Sequence, residues 1–151
     1  MAQVIEGAEK YQFTQGTRSR QRVEPRQFHG SDEAIAMAVM YTANHMDVKA
    51  IVALTESGST PLWMSRIRSD IPIYAFTRHE ATRRRVTLYR GVYPVSFDVT
   101  HTDPTILYPS IFLILLELNL CAAGDQIIVT KGELSGVSGG TNSMKILEVR
   151  A

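Results

Sequence analysis

The sequence predicts an α/β fold: a three-layer α/β/α sandwich around a mostly parallel five-stranded sheet, order 3-2-1-4-5, with the last strand antiparallel. Three observations carry this expectation. Short apolar runs alternate with segments of helical period, the pattern of successive βα units. The run at residues 50–55 (AIVALT) shows no polar alternation, as in a strand buried on both faces. The link between the last two strand segments is a glycine-rich loop with no room for a crossover helix, so that pair must run antiparallel.

Taken in order, residues 1–11 have Val4, Ile5 and Ala8 on one face of a short helix. Residues 13–30 are polar, carry Arg18, Arg20, Arg22 and Arg26, and read as a solvated connector. Residues 1–30 are therefore expected to be a connecting helix and linker from a larger protein, and residues 31–151 the compact domain. Ser31 is expected to cap the next helix, with Asp32 and Glu33 complementing its dipole. Ile35, Ala38, Val39 and Thr42 follow at helical spacing. After the strand at 50–55, Thr60 is placed as the N-cap and Pro61 as the first residue of a helix reaching residue 67. A second strand spans 71–77 (IPIYAFT), a helix 79–90 with Val86, Leu88 and Tyr89 apolar, and a third strand 91–98 (GVYPVSFD). Pro94 lacks an amide proton and marks that strand as an edge. An apolar helix around 106–120, expected to be buried on several faces, precedes the break at Gly124 and Asp125. Residues 126–131 (QIIVTK) and 143–149 (SMKILEV) are the last two strands.

Composition narrows the function classes. The 151 residues suit one domain, large enough to bury a core without staples. Sixteen Lys and Arg against fifteen Asp and Glu give a formal charge of +1, which argues against a dedicated nucleic-acid binder. The single Cys121 excludes an internal disulfide, and its apolar neighbours point to an inert buried thiol in a reducing, cytoplasmic setting. Residues 1–10 lack the pattern of a signal peptide. Pro109, Glu117 and Asn119 argue against a membrane span at 106–123.

Ligands of open α/β sheets gather at the carboxyl ends of strands where the strand order reverses, here between strands 1 and 4. Two loops are expected there. Thr55, Glu56, Ser57, Gly58, Ser59 and Thr60 form a hydroxyl-rich turn whose free amides at the following helix suit a phosphate. Residues 132–142 are long for a hairpin connection. Their glycines let the backbone approach a ligand closely. Gly132, Glu133, Ser138, Gly139, Gly140 and Thr141 are the contacts expected from this loop. Arg78 and Lys131 are the candidate extra cations. Arg83, Arg84 and Arg85 point about 100° apart on a helix and read as solvated. The histidines show no metal-ligand spacing. There is neither a P-loop nor a nucleophile elbow. The residues offer a binding site without catalytic residues or a metal.

The motifs in series resemble a known family. Residues 33–45 (EAIAMAVMYTANH), 55–61 (TESGSTP), 65–95 (SRIRSDIPIYAFTRHEATRRRVTLYRGVYPV), 124–133 (GDQIIVTKGE) and 139–149 (GGTNSMKILEV) are similar to the C-terminal, allosteric domain of bacterial pyruvate kinases. Residues 2–10 (AQVIEGAEK) resemble the helix leading out of that enzyme's catalytic barrel. The resemblance implies a parent enzyme of glycolysis that transfers a phosphoryl group from phosphoenolpyruvate to ADP with Mg²⁺ and often K⁺. The residues that perform this chemistry lie in the barrel, so this chain by itself would not turn over substrate. It further implies a phosphorylated allosteric effector held by residues 55–60 and loop 132–142, and a homotetramer. Relatives activated by fructose bisphosphate commonly add an Arg between strands 3 and 4. Residues 101–124 contain no Lys or Arg, and Glu56 stands where some relatives carry Lys or Gln. Both departures favour a monophosphate, AMP or a sugar monophosphate. The competing readings are a standalone phosphometabolite-binding module, a purely structural assembly domain and, lowest, an arginine-rich nucleic-acid binder.

Overall fold

Residues 27–132 and 139–151 are described by the computed structural model; the expected helix at 1–11 and most of the connector lie outside them. Helix α1 (Ser31–Asn44) leads into β1 (Ala50–Leu54), α2 (Ser59–Ser65), β2 (Ile73–Thr77), α3 (Glu80–Val86), β3 (Val92–Ser96), α4 (Leu107–Glu117), β4 (Gln126–Lys131) and β5 (Ser143–Glu148). The sheet runs β3-β2-β1-β4-β5. Strand β1 is parallel to β2 and β4, β2 is parallel to β3, and β4 is antiparallel to β5. The expected order and the expected antiparallel pair are both present.

The strand pleat sorts the core into two layers. Ile51, Ala53, Ile73, Ala75, Val92 and Ile128 point to one face and pack with Ala36, Val39, Met40 and Ala43 of α1, Met64 of α2 and Val86 of α3. Ala50, Val52, Leu54, Tyr74, Phe76, Ile127 and Val129 point to the other and meet Leu107, Ile111 and Leu115 of α4. All five residues of β1 and all five of β2 are buried. Their lack of alternation follows from having helices on both sides. Proline at position 94 is tolerated because β3 is an edge strand, hydrogen-bonded only to β2.

Several element ends differ from the sequence expectation, each for a local reason. Gly30, not Ser31, is the N-cap of α1, and no side chain caps it. Instead buried Glu33 accepts a hydrogen bond from the His29 amide at 2.8 Å. The buried stripe of α1 is Ala36, Val39, Met40 and Ala43, so Ala38 faces outward. Helix α2 starts at Ser59 because Gly58, at φ +84°, makes the turn; Thr60 and Pro61 are buried inside the first turn. A side chain at Gly58 would be strained in φ, and its Cβ would sit 3.1 Å from Val86 Cγ1. Helix α3 stops at Val86, and Leu88 is left 84 % exposed.

Two Asx turns occupy the segment before α4. Asp98 accepts hydrogen bonds from the Thr100 hydroxyl and amide, and Asp103 does the same with Thr105. The Thr100 hydroxyl, with help from His101, holds the Asp98 carboxyl down at about 2. Helix α4 is buried on one face only: Ile106, Leu113 and Leu118 at its outer side and ends are each more than half exposed. That corrects the expectation of burial on several faces. Its apolar outer side has no covering layer among the described residues. No helix among them is long and apolar enough to cross a membrane. Cys121 is buried, and burial followed by the Asp125 charge pushes its thiol up, as an inert thiol requires.

Among the described residues two buried hydroxyls, those of Tyr108 and Thr130, have no hydrogen-bond partner. Thr130 is fully buried, and its Oγ1 has no hydrogen-bond partner. Alternation along β4 turns it toward the α1 and α2 layer, with Ile128. An unsatisfied buried hydroxyl costs about 1–3 kcal/mol. Thr130→Val is therefore expected to raise stability by about 1 kcal/mol, read as a higher urea midpoint at unchanged slope.

Candidate functional site

Strands β1 and β4, paired in parallel, end side by side. Thr55 continues β1, its amide donating to the Phe76 carbonyl at 3.0 Å. The chain then turns through Glu56, Ser57 and Gly58 into α2. From the other strand, Gly132 follows β4, and a Cβ there would lie 2.5 Å from the Gly140 carbonyl oxygen. Only glycine permits that approach. The Asn142 amide and the Ser143 hydroxyl both donate to the Lys131 carbonyl, at 3.1 and 3.0 Å, closing the base of the loop.

Among the described residues a buried hydrogen bond joins the two segments. The Thr60 hydroxyl donates to the Thr141 hydroxyl at 2.8 Å, with both residues buried. Eighty-one positions separate them in sequence. Gly139 adopts φ +69°, and its missing Cβ would face Asp32 Oδ2 at 4.0 Å. The first turns of α1 and α2 and the end of the loop thus come together. Glu133 and Ser138 lie outside the described residues.

The turn is held from behind by α3. The Thr82 hydroxyl donates to the Glu56 carbonyl at 2.7 Å, and Arg85 donates to the Ser57 carbonyl at 2.9 Å. Arg83 reaches the Thr77 carbonyl at 3.1 Å, while Arg84 pairs with Glu80 on the surface. Arg84 and Arg85 are exposed, as expected, and Arg85 together with the half-buried Arg83 also donates to turn and strand carbonyls. The sequence does not single out Thr82, and it marks Arg85 only as a solvated residue. Their signal was the i, i+3 spacing that places them on the same side of α3, next to buried Val86.

Two amides at the start of α2 are already paired, where free ones were expected. The Gly58 amide donates to Thr55 Oγ1 at 2.9 Å, and the Ser59 amide to Ser57 Oγ at 3.3 Å. The turn's own hydroxyls already hold them. The two candidate cations also stand differently from one another. Arg78 Nε lies 3.2 Å from Glu56 Oε2, and His79 Nε2 bonds the same oxygen. Lys131 falls on the opposite face of β4 from Thr130, with its Nζ 5.8 Å from the Tyr108 ring of α4. It lies apart from α2. No cluster of three or more His, Cys, Asp or Glu able to hold a metal occurs among the described residues.

The Thr60–Thr141 contact is open to a double-mutant cycle. Thr60→Val or Thr141→Val alone strands one buried hydroxyl and is expected to cost about 1–3 kcal/mol. The double variant should cost less than the sum, with about 1 kcal/mol of coupling in chemical denaturation.

Comparison with known proteins agrees with this architecture. Residues 33–147 match the model of the family described as pyruvate kinase, alpha/beta domain. The chain is 43 % identical over 150 residues to pyruvate kinase II of Salmonella typhimurium, covering 99 % of this chain and 30 % of that protein. It is 41 % identical to the pyruvate kinase of Buchnera aphidicola subsp. Schizaphis graminum and 38 % identical to that of Buchnera aphidicola subsp. Acyrthosiphon pisum, with the same coverage. The chain thus spans about 30 % of the length of these relatives. A five-stranded sheet of this order, matched over nearly the whole described domain, places the chain in the pyruvate kinase family as its C-terminal alpha/beta domain.

Proposed function

We propose that this chain is the regulatory part of a cytoplasmic, glycolytic pyruvate kinase and binds a phosphorylated effector in the crevice between residues 55–60 and loop 132–142. The observation that carries the proposal is the buried Thr60–Thr141 hydrogen bond, which brings the two hydroxyl-rich segments into one site. On this reading the phosphate oxygens take over the amides of Gly58 and Ser59, and the hydroxyls of Thr55 and Ser57 rotate to donate to the anion. A hydroxyl both accepts and donates, so the exchange strands no group. The small dipole of a short helix adds to this. The absence of Lys and Arg from residues 101–124 favours a monophosphate such as AMP or a sugar monophosphate.

Transfer of a phosphoryl group from phosphoenolpyruvate to ADP belongs, on the same reading, to a barrel joined to this domain. Mg²⁺ and K⁺ would serve that barrel. No group of three or more His, Cys, Asp or Glu among the described residues could hold a metal, and no catalytic step is assigned to them.

A second role, homo-oligomer assembly, is favoured by a different observation. A groove of about 710 Å³ runs between α4 and β5, lined by Tyr108, Phe112, Leu113, Leu116 and Ile146 among others. Strand β5 is also an open sheet edge. Edges of this kind are commonly covered or paired, and an apolar groove beside one suits a second copy of the same domain.

Calorimetric titration and thermal melting against AMP, glucose 6-phosphate and fructose 1,6-bisphosphate test the effector reading. A monophosphate at 100 times its dissociation constant should stabilise by about 2.7 kcal/mol, with adenosine and glucose inert. Tight binding of the bisphosphate without monophosphate binding would refute the monophosphate preference, and no shift with any of the three would refute the site. For assembly, Leu113→Glu and Ile146→Glu alter exposed side chains and should move the sedimentation profile toward monomer. An unchanged profile places the contact elsewhere.

A further inference from the structure

Helix α3 grips the turn between β1 and α2 by two consecutive carbonyls. The Thr82 hydroxyl donates to the Glu56 carbonyl at 2.7 Å, and Arg85 donates to the Ser57 carbonyl at 2.9 Å. The two donors stand at i, i+3 on one side of the helix. Thr82 is buried, so its bond lies beneath the turn, whereas the exposed Arg85 reaches its carbonyl from the surface.

In a planar trans peptide the carbonyl and the amide that follows it point in opposite directions. The Glu56 carbonyl shares its plane with the Ser57 amide, and the Ser57 carbonyl shares its plane with the Gly58 amide. Drawing both carbonyls onto α3 therefore turns both amides away from it. The Gly58 amide obeys this geometry: it donates to Thr55 Oγ1, at the end of β1, at 2.9 Å. That hydroxyl oxygen stands where an anionic oxygen would accept the same proton. Successive amides of a turn aimed into one space form a concavity suited to an anion.

We propose that Thr82 and Arg85 are positioning residues for phosphate binding: neither touches the anion, and together they fix the peptide planes whose amides receive it. The inference rests on the reading that residues 55–60 hold the phosphate, and it involves only that turn and α3. Arg84 supplies an internal control. It carries the same charge one residue away, but it is mostly exposed and pairs with Glu80 instead of the turn. A general attraction of the arginines for a phosphate would be shared by Arg84, whereas an orienting bond would not.

The test is calorimetric titration of the 151-residue chain with AMP and glucose 6-phosphate, with the Ser57 and Gly58 amide resonances followed by NMR before ligand is added. Thr82→Val removes the donor, and no charge, while nearly keeping the shape. It should weaken binding by about three- to tenfold, the worth of one ordinary hydrogen bond, and shift both amide resonances. Thr82→Ser returns the hydroxyl and should restore affinity and resonances together. Arg85→Met should weaken binding by a similar factor and shift the Gly58 amide, while Arg84→Met should do neither. Thermal melts establish which variants fold. If Thr82→Val does not, the Gly58 shift in ligand-free Arg85→Met separates orientation from direct contact. Folded variants that bind as the unaltered chain does overturn the positioning role and leave the phosphate site standing. Weakening by Arg85→Met but not by Thr82→Val makes Arg85 a ligand contact and overturns the proposal. If the unaltered chain binds neither compound, the site itself fails and this proposal with it.

Discussion

Strand β1 is the constraint on which the rest depends. It lies between β2 and β4, parallel to both, with all five residues buried. A strand sealed on both faces must be apolar throughout, and its only polar continuation is at its ends. Thr55 therefore begins a turn at the carboxyl edge of the sheet. Beside it β4 ends at Lys131 and passes into the glycine-bearing loop. The two connections meet there because the strand order reverses at this position.

What makes the meeting specific is hydroxyl chemistry. Thr60 and Thr141 are buried against one another, and a buried hydroxyl without a partner is costly. Each loop is therefore held in place by the other. Helix α3 supplies the remaining restraint, with Thr82 and Arg85 drawing the carbonyls of Glu56 and Ser57 toward itself. Gly58 is needed twice over, for its positive φ and for its close approach to Val86. The turn is thereby built without any charged group of its own except Glu56, which pairs with Arg78 and is hydrogen-bonded to His79.

The opposite layer has a different character. Helix α4 seals the sheet with Leu107, Ile111 and Leu115 and leaves Leu113 outward with Ile146 of β5 nearby. Lys131 and Lys145 lie over the Tyr108 ring on this side, at 5.8 and 4.9 Å. Cation–ring contacts of this type cover an aromatic face at little cost. One layer of the sandwich lies beneath the turn, and the other carries an apolar outer surface.

The order of elements, the sequence of strands in the sheet, the edge position of β3 and the reversal of β5 were all legible in the chain alone. They follow from local periods, from Pro94 and from loop length, which act over a few residues. The candidate turn and loop were legible too, from glycine and hydroxyl content. Side-chain destinations were not. Whether Arg83 and Arg85 faced solvent, whether Lys131 shared a face with α2, and whether the amides at Gly58 and Ser59 were free depended on groups brought near only by folding. The exposed side of α4 was hidden for the same reason, since an apolar helix reads alike whether one face or several is covered. Periodicity records which residues share a side; the partner across the gap, as with Thr60 and Thr141, is chosen by packing between distant segments.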